Sequence, residues 1–170
     1  MGGLDLFGCL WLFFVYSFFG WIAETCFCVL KYRKFMNRGM LNSPLCIVYG
    51  ISAVIITIGF PELFDEIPIL FLGCAGVSTL LEWFTAKILE KLDHKKWWDY
   101  SSKRWNLDGY ICLQYSIVWG ILGVLSVKFV TPVLMKLYHM VPSFMMQIAL
   151  WALLGVLIVC LLYTSDAADE

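Results

Sequence analysis

The sequence predicts an all-α transmembrane protein of about five membrane-spanning helices. It forms one multi-pass membrane domain over residues 1–163, with a candidate parallel internal repeat of two helices. Three observations lead there. Of 170 residues, 61% are hydrophobic and only 15% charged, too little polar surface to coat a soluble globule. Five apolar runs approach the roughly 20 residues that a helix needs to cross a bilayer. The bases, finally, crowd into two of the polar connections.

Taken in order, the runs cover approximately Phe7–Leu30, Pro44–Phe60, Ile67–Leu89, Tyr110–Val130 and Phe144–Tyr163. The second is short, and Pro44 fits its first turn, where a missing N–H costs nothing. The first connection carries Lys31, Arg33, Lys34 and Arg38, and the third Lys87, Lys91, Lys95, Lys96, Lys103 and Arg104, whereas residues 61–68 carry no base. Bases mark the cytoplasmic side. The expected arrangement in a bacterial cytoplasmic (inner) membrane therefore has the N-terminus and the second and fourth connections outside, and the first and third loops inside. Lys128 and Lys136, near the fourth connection, dissent and are outnumbered. Met1-Gly-Gly-Leu-Asp lacks the basic region of a cleaved signal, so the first helix is expected to stay. Residues 160–170, Cys-Leu-Leu-Tyr-Thr-Ser-Asp-Ala-Ala-Asp-Glu, resemble the in-frame translation of a sequencing adapter. They are set aside as an artefact.

Seven cysteines fall in or beside apolar runs, with no Cys-x-x-Cys and no histidines at ligand spacing. They read as small buried hydrophobes, and neither metal nor cofactor is expected.

Two stretches read as copies. One gives Glu24, a basic segment, Asn37-Arg-Gly39 and then Ile47-Val-Tyr-Gly50; the other gives Glu82, a basic segment, Asn106-Leu-Asp-Gly109 and then Ile117-Val-Trp-Gly120. Each carboxylate follows a small residue one turn earlier, Gly20 or Ser78, on the same helix face. If real, the repeat is parallel, with halves of about 7–60 and 67–130 and its axis along the membrane normal. A carboxylate in a transmembrane helix costs about 2.5 to 3.5 kcal/mol on insertion scales. Glu24 and Glu82 are therefore either wetted near the interface, pairing with Lys87 or Arg38, or members of a polar cluster with Arg38, Asn37, Asn106 and Tyr100. Gly39 and Gly109 suit a sharp turn under either reading.

Within the second half lies the longest polar interruption, Lys95–Gly109, with three tryptophans and a tyrosine among basic pairs. One reading is an aromatic belt at headgroup depth with its cations toward anionic lipid. The other gives Asp99, Tyr100, Asn106 and Asp108 a role beyond solvation.

Tyr16-Ser-Phe-Phe-Gly-Trp-Ile-Ala-Glu-Thr25, Asn37 to Gly50, Leu81-Glu-Trp83, Trp97-Trp-Asp-Tyr-Ser101 and Trp105 to Leu113 together resemble a bacterial family, the CmpB-like permeases or Putative ABC-transporter type IV, over about Tyr16–Gly123. Where the family has Gly-Pro before the second helix, this chain has Ser43-Pro44. The resemblance implies a multi-pass inner-membrane protein and, from the family's name, transport. The chain has no Gly-x-x-x-x-Gly-Lys-Ser/Thr phosphate loop. An ATPase would thus be a separate subunit.

Three functions follow as expectations. The first is a permease-like subunit whose polar cluster, comprising Glu24, Asn37, Arg38, Gly39, Glu82, Asp99, Tyr100, Asn106 and Gly109, binds at the cytoplasmic side. Its partners are membrane lipid and either an ATPase subunit or further copies of itself, not nucleic acid. The second is an intramembrane enzyme acting on a lipid headgroup, with Glu24 or Glu82 as general base and Arg38 or Lys103 on phosphate; no Ser-His or Cys-His arrangement supports it. The third is a non-catalytic scaffold or regulatory subunit that docks a partner on its third loop.

Overall fold

The computed structural model describes residues 4–37, 39, 43–59, 65–94 and 96–168. Helix α1 spans Leu6–Tyr32 and starts on Asp5, whose Oδ1 accepts the Gly8 N–H at 2.9 Å. It ends on Arg33, left-handed at φ 54°, whose N–H closes on the Val29 carbonyl. Helix α2, Ile47–Gly59, is tied to α1 where the Cys46 N–H donates to the Ser17 carbonyl at 2.9 Å. Helix α3, Ile67–Asp93, has Pro68 in its first turn and ends on left-handed His94. Two short antiparallel strands follow, β1 Asn106–Leu107 and β2 Ile111–Cys112, pairing Asn106 with Cys112 and Leu107 with Ile111. Helix α4, Leu113–Leu125, passes through a π-helical turn, Ser126–Val130, into α5, Thr131–Met140, and α6 is Ser143–Ala168.

Among the described residues, four segments are long and apolar enough to cross a membrane: Leu6–Tyr32, Ile67–Lys91, Leu113–Met140 and Ser143–Cys160. The protein is all-α and transmembrane, as expected. Helix α2, with 13 residues, is shorter than these; at 1.5 Å per residue it extends roughly 20 Å, against a hydrocarbon core of about 30 Å.

Boundaries depart from expectation at three places. Pro44 precedes α2 instead of starting it. The fourth run does not stop at Val130, because the chain accommodates Pro132. Proline lacks an N–H and its ring clashes with the carbonyl four residues back. The wider π turn absorbs this, with the Thr131 N–H bonding the Ser126 carbonyl. Lys128 and Lys136 therefore belong to a continuing helix, and Lys128 Nζ lies 3.7 Å from Asp65 Oδ1. The fourth connection shrinks to Val141 and Pro142.

The chain divides into two compact units, Ser52–Pro132, and Gly2–Ile51 with Val133–Glu170. In the first, Ile56, Leu70, Cys74 and Val127 form the buried core, with Val77 and Val124 packed against it. In the second, Phe14, Met146, Leu150 and Leu157 do so. There the Trp11 indole N–H donates to the Leu134 carbonyl at 3.0 Å. The Ser143–Cys160 part of α6 is apolar enough to span a membrane, and Met146, Leu150 and Leu157 are its buried contacts.

Candidate functional site

In each unit one carboxylate in the body of an apolar helix, Glu24 of α1 and Glu82 of α3, accepts a hydrogen bond from an aromatic side chain. In the unit containing α1, Glu24 accepts the Tyr49 hydroxyl at 2.6 Å. The next residue, Gly50, sits so close to α1 that a Cβ there would collide with Ser17 Oγ and the Phe13 carbonyl. Tyr49 is thereby delivered to Glu24 from a point where the two helices lie close together. Beyond the end of α1, Asn37 Oδ1 accepts the Trp21 indole N–H at 2.7 Å and the Gly39 N–H at 3.0 Å. Arg38 lies outside the described residues.

In the unit containing α3, Glu82 uses both oxygens. Oε1 accepts the Tyr100 hydroxyl and Oε2 the Trp119 indole N–H, both at 3.2 Å. Trp119 again precedes a close-packed glycine: a Cβ on Gly120 would lie 2.5 Å from the Phe71 ring and 3.0 Å from Ala75. Phe13, Ser17 and Glu24 on α1 have the spacing of Phe71, Ala75 and Glu82 on α3, and Tyr49-Gly50 stands where Trp119-Gly120 stands. Lys87, one of the two bases expected near the carboxylates, instead lies 4.0 Å from the Trp83 ring centroid.

The third loop folds into a cap. Asp99 Oδ1 accepts the Ser101 N–H at 2.9 Å and its hydroxyl at 2.5 Å, an Asx turn. These bonds hold the Asp99 carboxyl below its ordinary range. Asn106 donates to the carbonyls of Ser101 and Lys103 and accepts the Gly109 N–H, so its amide is spent inside the cap and does not reach Glu82. Gly109 is left-handed at φ +75°, and its carbonyl accepts the Tyr100 N–H at 2.8 Å. A side chain there would meet Asp99 and Ser101. The Tyr100 ring stacks on Tyr115 at 4.7 Å. Burial, then the Glu82 charge and the bond to it, push the Tyr100 phenol far above its usual value.

Sequence reasoning singled out Glu24, Glu82 and Tyr100 but assigned no role to Tyr49, Trp119 or Trp21. The signal lay in Ile-Val-Tyr-Gly and Ile-Val-Trp-Gly, where an aromatic precedes a glycine. It also passed over Tyr110, whose hydroxyl donates to Glu90 while Lys96 Nζ lies 4.6 Å from its ring centroid. The Glu90 bond is the leading cause that raises the Tyr110 phenol above its ordinary range.

Chemically, both carboxylates are positioned by neutral aromatic donors. Among the described residues, no three His, Cys, Asp or Glu side chains cluster as a metal would require. The family model described as Putative ABC-transporter type IV matches residues 11–165. No curated protein and no solved structure matches the chain.

Proposed function

The chain belongs to the Putative ABC-transporter type IV family, and on that premise we propose that it is a permease-like subunit of a transport system in the bacterial cytoplasmic membrane. The observation that carries this is the matched pair of aromatic-held carboxylates, Glu24 with Tyr49 and Glu82 with Trp119 and Tyr100. Carboxylates in membrane helices are costly and are commonly kept for ion or substrate paths. We take the two sites as copies within a parallel two-helix repeat, each a polar group at the cytoplasmic side, with Asn37 and Gly39 shaping the loop of one and Asp99, Asn106 and Gly109 the loop of the other. With no phosphate loop in the sequence, ATP hydrolysis falls to a separate subunit.

The test is purification from native membranes with Glu24→Gln and Glu82→Gln. Both variants should accumulate normally and retain an associated ATPase, yet lose coupling between substrate and ATP hydrolysis. A second reading, a scaffold that docks a partner on the cap, is favoured by the exposure of Trp105, which is 81% accessible. If no ATPase accompanies the wild-type chain and a soluble protein bound through Trp105 does, the scaffold replaces the permease.

A further inference from the structure

A recess of about 610 Å³ opens where the start of α1 meets the α5–α6 turn, within a single unit and at the opposite end of α1 from Asn37. Its size falls in the roughly 300–1,000 Å³ range of small-molecule sites. Asp5 is the one carboxylate among the described lining residues, and none of them is Lys or Arg. Charge therefore selects a cation. The carboxylate is fixed in place: Gly8 N–H donates to Oδ1 at 2.9 Å, and the Tyr138 hydroxyl lies 3.4 Å from Oδ1 and 3.2 Å from Oδ2. A carboxylate accepts about four hydrogen bonds, so capacity remains on Oδ2.

The rest of the lining sets the size and character of that cation. Met135, Met140 and Met146 line it together with Tyr138 and His139. Methionine adapts its shape and recurs on surfaces that take varied apolar ligands, and a tyrosine face attracts a cation. A bare alkali ion would leave most of this volume unfilled while losing its water. We propose that the recess binds a lipophilic organic cation, with Asp5 as counter-charge, Tyr138 as the group orienting it and the three methionines as the adaptable wall. This deepens the transport reading, on which it rests, by naming a substrate class and a second site.

Equilibrium dialysis of tetraphenylphosphonium against the full chain in nanodiscs tests it. Saturable binding at one site per chain is expected. Asn is as good a helix N-cap as Asp, so Asp5→Asn should leave the fold intact while weakening binding about tenfold, the loss expected for one charge-assisted contact of roughly 1.4 kcal/mol. Met140 is 78% exposed, so Met140→Lys should fold normally and weaken binding similarly by repulsion. The proposal is overturned if the wild type shows no saturable binding, if both variants bind as tightly as it does, or if silver(I), which thioethers and imidazole would also favour, binds while the organic cation does not. Failure of binding with ATPase association intact would remove the recess and leave the transport reading standing.

Discussion

Tyr49 donates to Glu24 across 2.6 Å from the position immediately before Gly50, the residue on which α2 closes against α1. Aromatic donor and glycine thus form one device: the missing side chain brings the backbone in, and the ring beside it reaches the carboxylate. A single peptide unit couples helix packing to the placement of a charge.

Tyr49→Phe keeps the ring and removes the donor. A hydrogen bond to a charged, part-buried carboxylate contributes roughly 1.5–3 kcal/mol. The variant should unfold more readily in detergent by an amount toward the lower end of that range. Trp119→Phe should behave more mildly, because Glu82 keeps Tyr100.

The two close-packed glycines should differ. Overpacking costs about 1–3 kcal/mol, but at Gly120 the obstacles are the Phe71 ring and the Ala75 methyl, whereas at Gly50 they include the Phe13 backbone carbonyl. A side chain can shift more easily than a helix carbonyl. Gly50→Ala should therefore lower thermal stability more than Gly120→Ala.

Asn106 satisfies three backbone groups of the cap at once. Asn106→Ala should open the cap without unfolding the helices, read as faster proteolysis near Ser101–Arg104 at unchanged helical circular dichroism. Unchanged proteolysis would mean that the strand pair alone holds the cap.

The cap should also respond to pH at both ends. Tyr100 is raised in the folded state, so its contribution is full below the unfolded tyrosine value, about 10, and is lost as pH rises through the higher folded value. Asp99 is lowered, so its contribution is full above the unfolded aspartate value, about 3.9, and is lost as pH falls through the lower folded value. In proteolysis against pH, Tyr100→Phe should shrink the alkaline limb to the part that Tyr110 supplies, and Asp99→Asn should remove the acid limb.

Much of this architecture was legible because membranes impose a simple grammar: apolar runs, bases in loops and costly carboxylates stand out in Leu6–Tyr32 and Ile67–Asp93 without tertiary information. The length of the fourth span was not, because Pro132 reads as a stop, and only the extra residue in the preceding π turn lets the helix continue. Tyr100 was found because it stands in a polar loop, whereas Tyr49 and Trp119 were hidden in apolar runs where an aromatic reads as lipid-facing. Asn106 was assigned to the carboxylates because sequence gives no means of seeing that the loop around it would consume its amide.

Arg33, which ends α1 in a left-handed conformation, has a bearing on how freely that position can drift. A left-handed L-residue is disfavoured by roughly 1–2 kcal/mol, and glycine there would be relieved of it. A cation at a helix C-terminus recovers about 0.3–1 kcal/mol from the peptide dipoles, and at a membrane edge it also helps fix which way the helix is inserted. The opposing terms are of similar size, so exchange between arginine and glycine at this position should be nearly neutral for folding while altering insertion. Selection at the end of α1 would then act on the reliability of insertion and hardly at all on the stability of the inserted helix.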